Sequence, residues 1–321
     1  MRIIDADQVR AAAPMPQLLD AVEDAYRDVA AGRDRSPIRS RIPMAGGDLL
    51  LMPGLRDGGA GASVKLVTVM PANAARGLPT IQALVAWFDA HSGEPLAILD
   101  GPALTAMRTG AASGVSTRLL SRLDARVLAL FGVGAQAAWQ VRAVMAAREI
   151  SEVRIFSRTG SSREAFAASL AKELGADVRV LAAQSAEAAV RGADVICCAT
   201  TSFEPVFSAE WVSPGTHVSA VGSFQKGMIE LPPEIFAAAA LVAVDSREAA
   251  LEEAGDLVAA IDAGLLAADG FVEIGTIDRG WAVTRDPSAI TVFKSVGLAI
   301  QDVAAAELVM ANLGPAEGGA G

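Results

Sequence analysis

The chain has 321 residues and a formal net charge of −10; 52% of its residues are hydrophobic and only 5% are aromatic. This length accommodates two domains, and a composition rich in Ala and poor in aromatic residues favours an α/β class, with helices packed on a sheet, over a β-sandwich. Lys and Arg are dispersed rather than striped, so we expect no nucleic-acid partner.

The amino-terminal residues and the hydropathy of the chain predict neither export nor a membrane partner. Asp5 and Asp7 lie where a signal peptide would carry an apolar core. The most apolar run, residues 127–141, is shorter than the ~20 residues that cross a bilayer. We therefore expect a cytoplasmic protein.

Cysteine and histidine are too few for a metal site. Cys197 and Cys198 are adjacent and no other cysteine exists, which predicts buried thiols rather than a disulfide. His91 and His217 do not complete any metal-ligand spacing, and His217 belongs to an apolar strand, so we expect a core histidine and no metal.

The first third of the chain predicts a helix followed by strands. Residues 16–31 carry apolar side chains at helical spacing, up to Gly32. Short apolar runs separated by Gly, Pro and Asn then predict antiparallel strands at 49–52, 62–70, 81–89 and 95–99. Residues 105–120 predict a helix in which Gly110 and Gly114 let another backbone approach closely and which links the two domains.

From residue 127 the chain alternates short apolar runs with helical segments, which predicts a parallel, doubly wound sheet. The predicted strands are 127–131, 153–157, 178–181, 194–200, 216–221 and 241–245. Apolar residues at helical spacing in 291–313 predict a final helix that returns to the first domain.

The predicted fold is therefore α/β, with a Rossmann-type doubly wound parallel sheet and a smaller, strand-rich α+β domain. Residues 1–118, joined by a C-terminal helix at 300–321, form the smaller domain. Residues 119–299 form the dinucleotide-binding domain.

A glycine-rich turn follows the strand at 127–131 and opens an Ala-rich helix. Gly132 allows the tight turn, Gly134 lets the backbone approach a pyrophosphate, and Ala137 takes the position where helix packs on strand; Ala135 and Gln136 complete the turn. A plain tight turn would produce the same string in an Ala-rich chain, but the flanking strand, helix and second strand favour a nicotinamide dinucleotide at the helix amino end.

The end of the second strand predicts which dinucleotide is preferred. An NAD-selective site usually offers a carboxylate to the ribose there, whereas this chain has Ser157, Arg158 and Thr159. The planar guanidinium of Arg158 suits a 2′-phosphate, so we expect NADPH to be preferred, with NADH possible. The alternative is that Arg158 is an ordinary solvated loop residue.

Several motifs in one order resemble the ornithine cyclodeaminase/mu-crystallin family over nearly the whole chain. They are Ser36-Pro-Ile-Arg39, Lys65-Leu-Val-Thr68, Arg108-Thr109, Phe131-Gly-Val-Gly-Ala-Gln-Ala137, Val244-Asp-Ser-Arg-Glu-Ala-Ala250, Glu253-Ala-Gly-Asp256 and Thr291-Val-Phe-Lys-Ser-Val-Gly297. The resemblance implies a homodimer whose first domain, with the last helix, dimerises and supplies the substrate site. It also implies amino-acid or cyclic-imine chemistry on a nicotinamide cofactor.

The resemblance assigns Arg39, Lys65 and Arg108 to the substrate carboxylate, with Lys65 and Arg108 as catalytic residues. The residues themselves agree, because an acidic protein that binds a small carboxylate needs a local group of cations. Lys65 is the strongest candidate, since an unpaired ammonium inside an apolar strand would be costly. Arg41 competes with Arg39, and spacing does not separate them.

The informative departure from the family lies at Phe224. The resemblance implies an Asp at this position in the cyclodeaminases and the alanine dehydrogenases of the family, and a Lys at the position of Met228 in the cyclodeaminases. Phe224 cannot move a proton at the substrate, so elimination of ammonia from ornithine loses its general base, which argues against that activity. Phe224 would instead form an apolar wall over the substrate ring. The alternative is that Phe224 packs in the core and that the proton comes from Ser223, Thr109 or water.

The remaining predicted cofactor contacts are Thr109, Val221, Gly222, Ser223, Lys294 and Gly297. The resemblance places the closing motif with Lys294 and Gly297 near the nicotinamide; the alternative is a helix start with a close backbone contact. Asp245, at a strand end, either faces a ligand or caps the helix that begins at Ser246.

We interpret the chain as an NADPH-preferring reductase of Δ1-pyrroline-2-carboxylate and Δ1-piperideine-2-carboxylate, a small carboxylate-bearing imine being the substrate. A second hypothesis is an amino-acid dehydrogenase or a linear imine reductase, acting on alanine, iminosuccinate or an N-alkyl amino acid. A third is a mu-crystallin-like NADPH-binding protein, against which the retained Arg39, Lys65 and Arg108 argue.

Overall fold

The computed structural model describes residues 1–314. Among them, the strands are β1 (Arg2–Ile4), β2 (Ser40–Met44), β3 (Gly47–Leu55), β4 (Gly61–Val69), β5 (Ile81–Asp89), β6 (Pro95–Asp100), β7 (Val127–Phe131), β8 (Glu152–Phe156), β9 (Arg179–Ala182), β10 (Val195–Cys198), β11 (His217–Ala220), β12 (Ala239–Val244), β13 (Val272–Glu273) and β14 (Ile290–Lys294). The helices are α1 (Ala6–Ala12), α2 (Met15–Ala30), α3 (Gly101–Leu120), α4 (Ala137–Ala147), α5 (Gly160–Leu174), α6 (Ala186–Val190), α7 (Glu234–Ala238), α8 (Arg247–Glu253), α9 (Gly255–Asp262), α10 (Trp281–Thr284) and α11 (Ala299–Leu313). Within this part of the chain, no helix combines the length and apolar character needed to cross a bilayer.

The chain forms two compact units, residues 1–108 with 298–321 and residues 109–297. The sequence boundaries at 118/119 and 299/300 differ from these because the first division falls inside the continuous helix α3. A division inside a helix leaves no turn or linker in the sequence to mark it.

The first unit is built on a six-stranded sheet in the order β1-β6-β5-β4-β3-β2. All pairs are antiparallel except β1 with β6, so the predicted antiparallel domain is confirmed. Helix α11 packs on α2 and on strands β3 and β4, so the last helix belongs to the first unit. Residues 315–321 of the predicted C-terminal helix lie outside the described residues.

The second unit has an eight-stranded, wholly parallel sheet in the order β13-β12-β14-β11-β10-β7-β8-β9. From β7 the chain winds one way through β8 and β9 and then returns to β10 on the other side, as a doubly wound sheet requires. The predicted fold class is confirmed.

Helix α3 carries the small residues that the sequence singled out. A Cβ on Gly110 would lie 2.5 Å from the carbonyl oxygen of Trp139, and one on Gly114 would lie 2.8 Å from that of Ala143. The prediction of a close backbone approach is therefore confirmed, with α4 as the partner.

The predicted helix at 291–313 is wrong in its first eight residues, since α11 begins only at Ala299. Residues 291–294 belong to strand β14, which pairs with β11 and β12 inside the sheet. Thr291, Val292 and Phe293 are fully buried, and a short apolar run of this kind fits a buried strand and a buried helix equally well.

Candidate active site

A cavity of about 380 Å³ opens at the carboxyl ends of β7, β8 and β10 in the second unit. This is where the strand order reverses, which is the usual ligand position in a doubly wound sheet. Its lining comprises 131–134 at the end of β7, 156–159 at the end of β8, and 199–202 with 204–206 after β10. The sequence analysis missed the third group, although it follows a predicted strand.

The glycine turn fits the phosphates of a dinucleotide. Gly132 has φ 98°, and a Cβ there would lie 2.5 Å from the carbonyl oxygen of Ala199, so only glycine fits. A Cβ on Gly134 would meet nothing within 4 Å, which leaves open space in front of the turn. Helix α4 begins at Ala137, and its first amides suit an anion.

The segment after β8 is held in place by an arginine that the sequence analysis did not single out. The Arg163 guanidinium donates to the carbonyl oxygen of Ser157 at 3.2 Å and lies 5.4 Å from the centre of the Phe156 ring. Arg158 and Thr159 are exposed at the same edge of the cavity. The lining includes one carboxylate, Glu204, which follows β10 rather than β8.

In the first unit, two predicted substrate cations meet at one buried carboxylate. The Lys65 Nζ lies 2.8 Å from Asp302 Oδ2, and the Arg108 Nε donates to Asp302 Oδ1 at 3.0 Å. All three side chains are buried. Burial and the charges of Arg108 and Arg39 lower the pKa of Lys65, Asp302 raises it, and the result is about 7.

The structure separates Arg39 from its competitor Arg41. Arg41 forms a bidentate pair with Asp48, with distances of 2.7 and 2.8 Å from its Nε and Nη2 to the two carboxylate oxygens. Arg39 instead acts on Lys65 through its charge. Arg41 is thus engaged by Asp48, and Arg39 stays the candidate for the substrate carboxylate.

Comparison with known proteins identifies the family. The model of the ornithine cyclodeaminase/mu-crystallin family matches residues 2–316. The chain belongs to this family.

Relatives that cover nearly the whole chain are enzymes. The Δ1-pyrroline-2-carboxylate reductase of Bacillus cereus is 40% identical over 311 residues, 96% of this chain and 95% of that protein. The Thermococcus litoralis Δ1-pyrroline-2-carboxylate reductase, solved with NADH and L-proline, has a TM-score of 0.89 and 31% identity over 97% of each chain. An archaeal alanine dehydrogenase dimer with bound NAD has a TM-score of 0.87 and 33% identity, over 97% of this chain and 95% of the other. This member of the family is thus an NAD(P)-dependent oxidoreductase that acts on carbon–nitrogen bonds.

Five of the predicted cofactor residues line the cavity: Gly132, Gly134, Ser157, Arg158 and Thr159. Ala135, Gln136 and Ala137 continue the glycine turn into α4. The lining does not include Thr109, Val221, Gly222, Ser223, Lys294 or Gly297, all of them among the described residues.

Glu230 ties together the backbone that follows β10 and β11. Its carboxylate accepts hydrogen bonds from the amides of Thr200, Gly222 and Ser223 at 2.6, 2.8 and 2.9 Å, and from the Thr200 hydroxyl at 2.8 Å. Burial raises the pKa of Glu230. A buried carboxylate therefore fixes the backbone of Thr200 at one edge of the cavity.

Lys294 and Ser223 belong to a second buried network. Lys294 Nζ lies 2.8 Å from Asp256 Oδ2 and donates to the Ser223 hydroxyl at 2.6 Å, and Ser223 donates to Asp256. Burial alone would raise the pKa of Asp256, but the Lys294 ammonium and these hydrogen bonds lower it. Lys294 ends strand β14, and the helix that follows the motif, α11, begins at Ala299.

Asp245 has a different partner from the one its position suggested. It accepts hydrogen bonds from the Ser295 hydroxyl and from the amides of Val296 and Gly297 at 2.7, 2.9 and 2.8 Å. Helix α8 is capped by Ser246, so the capping role for Asp245 is wrong. Asp245 fixes the segment that follows β14.

His217 is a satisfied core residue, as predicted. Its Nε2 lies 3.0 Å from the Ser116 hydroxyl and its Nδ1 lies 3.0 Å from the Thr291 hydroxyl. Burial, with the charges of Arg285 and Arg148, lowers the pKa of His217 to about 3. The ring is neutral at physiological pH.

The buried pair Lys294–Asp256 predicts a stability test. The substitution Asp256→Asn should lower the free energy of unfolding by about 3–5 kcal/mol, measured by urea denaturation, because it leaves a buried ammonium without its counter-charge. Glu252→Gln, which breaks the exposed 3.5 Å pair with Lys226 in the same unit, should leave it nearly unchanged. Equal effects of the two substitutions would contradict the structural role of Lys294.

Proposed function

We propose that this enzyme reduces small cyclic ketimines that carry a carboxylate, Δ1-pyrroline-2-carboxylate and Δ1-piperideine-2-carboxylate, to cyclic amino acids. The observation that carries the proposal is the pair of buried cations, Lys65 and Arg108, on the single carboxylate Asp302. Two positive charges on one negative charge suit a further anion of the size of a substrate carboxylate. The relatives that reduce Δ1-pyrroline-2-carboxylate support the same substrate class.

Phe224 supports a reduction rather than an ammonia elimination. It is half-buried, and Met228 is buried, where the cyclodeaminases are expected to carry an Asp and a Lys. Neither side chain takes up a proton, so release of ammonia would lack its base. Reduction of a preformed imine needs only correct placement and one proton.

In this proposal the second unit binds the cofactor and the first unit binds the substrate carboxylate. In the second unit, residues 132–137 and 157–159 would hold the dinucleotide, which supplies a hydride when it is bound. In the first, Lys65, Arg108 and Arg39 bind the carboxylate, and the imine nitrogen gains a proton as it becomes an amine. Ser223 is fully buried and engaged by Asp256 and Lys294, which favours Thr109 or water over Ser223 as the donor of that proton.

A second candidate is an amino-acid dehydrogenase or a reductase of linear imines such as iminosuccinate. The similarity to the archaeal alanine dehydrogenase favours it. The carboxylate site would be the same, so the two functions differ in whether the imine is supplied as a ring or forms from a keto acid and ammonia.

NAD(P)H oxidation at 340 nm should separate these functions. We expect turnover with the two cyclic imines to exceed turnover with pyruvate plus ammonia, and ornithine to be inert. Arg39→Ala and Arg108→Met should each raise KM for the imine about 10- to 100-fold, since each removes a charged hydrogen-bond donor, whereas Arg41→Ala should leave it unchanged. Faster turnover of pyruvate plus ammonia would favour the dehydrogenase instead.

We propose further that NADPH is preferred and NADH is accepted. Arg158 is exposed at the edge of the cavity after β8, where a 2′-phosphate would lie. Known structures of relatives contain NADH or NAD, which supports a nicotinamide cofactor. The proposal adds that this chain prefers the form with a 2′-phosphate.

The substitution Arg158→Ala tests this preference. It should raise KM for NADPH about 10-fold or more and leave KM for NADH unchanged, because only NADPH carries the 2′-phosphate. Arg179→Ala, an exposed arginine on β9, serves as the control. A wild-type enzyme with equal affinity for the two cofactors, or equal losses in the variant, would contradict the assignment.

We propose that a second copy of this chain covers the outer face of the first sheet. Leu51, Leu66 and Leu84 stand in register across β3, β4 and β5, on the face opposite to Lys65. Leu84 is 39% exposed, and Ile42 on the edge strand β2 is 49% exposed. A row of apolar side chains of this kind favours a self-complementary partner, and the alanine dehydrogenase relative is a dimer.

Light scattering after size-exclusion chromatography tests the dimer. The wild-type protein should have twice the mass of one chain, and Leu66→Glu should give the mass of one chain because it places a charge in the apolar face. Leu251→Glu, at an exposed leucine of α8, should leave the mass unchanged. A wild-type monomer, or a dimer that survives Leu66→Glu, would contradict the proposal.

A further inference from the structure

Asp302 is a charged residue in a helix that is otherwise mostly apolar. Helix α11 is rich in Ala, Val, Ile and Leu, and Asp302 is fully buried in it, next to the equally buried Gln301. An ionised carboxylate is expensive to bury unless it is paired. The sequence analysis took this helix as an apolar one and missed both residues.

The two carboxylate oxygens of Asp302 are divided between two elements. Oδ2 lies 2.8 Å from Lys65 Nζ on β4, and Oδ1 accepts from Arg108 Nε on α3 at 3.0 Å. Burial would raise the pKa of Asp302, but the charges of Lys65 and Arg108 lower it. The carboxylate therefore fixes the separation of the two cations.

Gln301 and Tyr26 hold the Arg108 guanidinium at its Nη1 nitrogen, whereas Asp302 accepts from its Nε. Gln301 Oε1 accepts from Arg108 Nη1 at 3.0 Å, and Gln301 Nε2 donates to the Tyr26 hydroxyl on α2 at 2.5 Å. Gln301 also accepts from the amide of Leu298 at 2.8 Å, at the start of α11. The guanidinium is thus held by two adjacent residues of one helix, and its rotation is restricted.

This arrangement differs from an ordinary buried salt bridge in its charge balance. A purely structural pair would match one cation to one anion, whereas Asp302 has Lys65 and Arg108 within 3.0 Å, and Arg39 also acts on Lys65. The carboxylate stabilises the cations without neutralising them. A bound anion would complete the balance.

We propose that Asp302 is a positioning residue, whose carboxylate holds Lys65 and Arg108 together so that both meet one substrate carboxylate. Gln301 and Tyr26 support the Arg108 side of the arrangement. The identity of the substrate rests on the proposed function, but the effect of Asp302 on Lys65 is a property of the protein alone.

The direct test is the titration of Lys65 in the protein without substrate. The chain has only four lysines, Lys65, Lys172, Lys226 and Lys294, so protein labelled with ¹³C at the lysine Cε gives four resonances. The Lys65 resonance is the one lost in Lys65→Met, and its midpoint should lie near pH 7. In Asp302→Asn the midpoint should fall by a pH unit or more, because Arg108 and Arg39 remain as repelling charges.

Glu307→Gln is the matched control, since Glu307 is another acid of α11, pairs with Arg56 at 3.7 Å and is partly exposed. It should leave the Lys65 midpoint in place. A midpoint that stays near pH 7 in Asp302→Asn, or that moves equally in Glu307→Gln, would overturn the proposal.

Ligand binding distinguishes a positioning role of Asp302 from a general role in keeping the protein folded. Pyrrole-2-carboxylate is a planar carboxylate that is not an imine, and its binding can be measured by calorimetry. It should bind Asp302→Asn at least about 10-fold more weakly than wild type, because Lys65 and Arg108 lose the carboxylate that holds them. The Kd for NADPH should stay within about twofold. Equal losses for the two ligands would make Asp302 a general structural residue and overturn the proposal.

Tyr26→Phe decides the question if Asp302→Asn does not fold. It retains every charge and removes only the hydroxyl that holds Gln301, so pyrrole-2-carboxylate should bind a few-fold more weakly and NADPH equally well. Wild-type affinity for both ligands would overturn the proposal. A normal Lys65 titration in a protein that is inert toward cyclic imines would reject the proposed function and retain the role of Asp302.

Discussion

The buried charge centre on Asp302 constrains more of the first unit than any other interaction. Two cations share one carboxylate, and burial of all three groups is tolerable only when the geometry is good and the hydrogen bonds are made. Lys65 must therefore point to the covered face of β4, Arg108 must lie late in the first half of α3, and α11 must return to this unit. The proposed binding of an anionic substrate to a protein of net charge −10 depends on the remaining positive charge of this centre.

In the second unit, a glycine turn and buried charged groups fix the backbone around the cavity. Gly132 lets the turn pass close to Ala199, and Glu230 ties the backbone after β10 to the backbone after β11. Lys294 and Asp256 then anchor Ser223. Glu230 bonds to Thr200 in the cavity lining, and Asp256 accepts from the amide of Glu230, so these buried charges, each of which carries a desolvation cost, are connected to the lining.

Local patterns predicted most of the architecture, because the parallel strands and the glycine turn have short signatures. The predictions failed where the signal was long-range. Strand β14 was taken for helix since its neighbours β11 and β12 are far away in the chain, and nothing local marks a boundary inside α3. Asp302 was missed for the same reason, since its partners are more than 190 residues away. The family resemblance supplied Arg39, Lys65 and Arg108, and the structure added the carboxylate that organises the last two.

The central claim is that the buried cations of the first unit bind one carboxylate, and proton uptake tests it most directly. With a pKa of about 7, Lys65 is mostly neutral in the free protein at pH 8, and a bound carboxylate would favour its ammonium form. Calorimetric titration with pyrrole-2-carboxylate, in two buffers of different ionisation enthalpy, should therefore show uptake of close to one proton at pH 8 and almost none at pH 6. Binding heats at pH 8 that do not depend on the buffer would contradict the account.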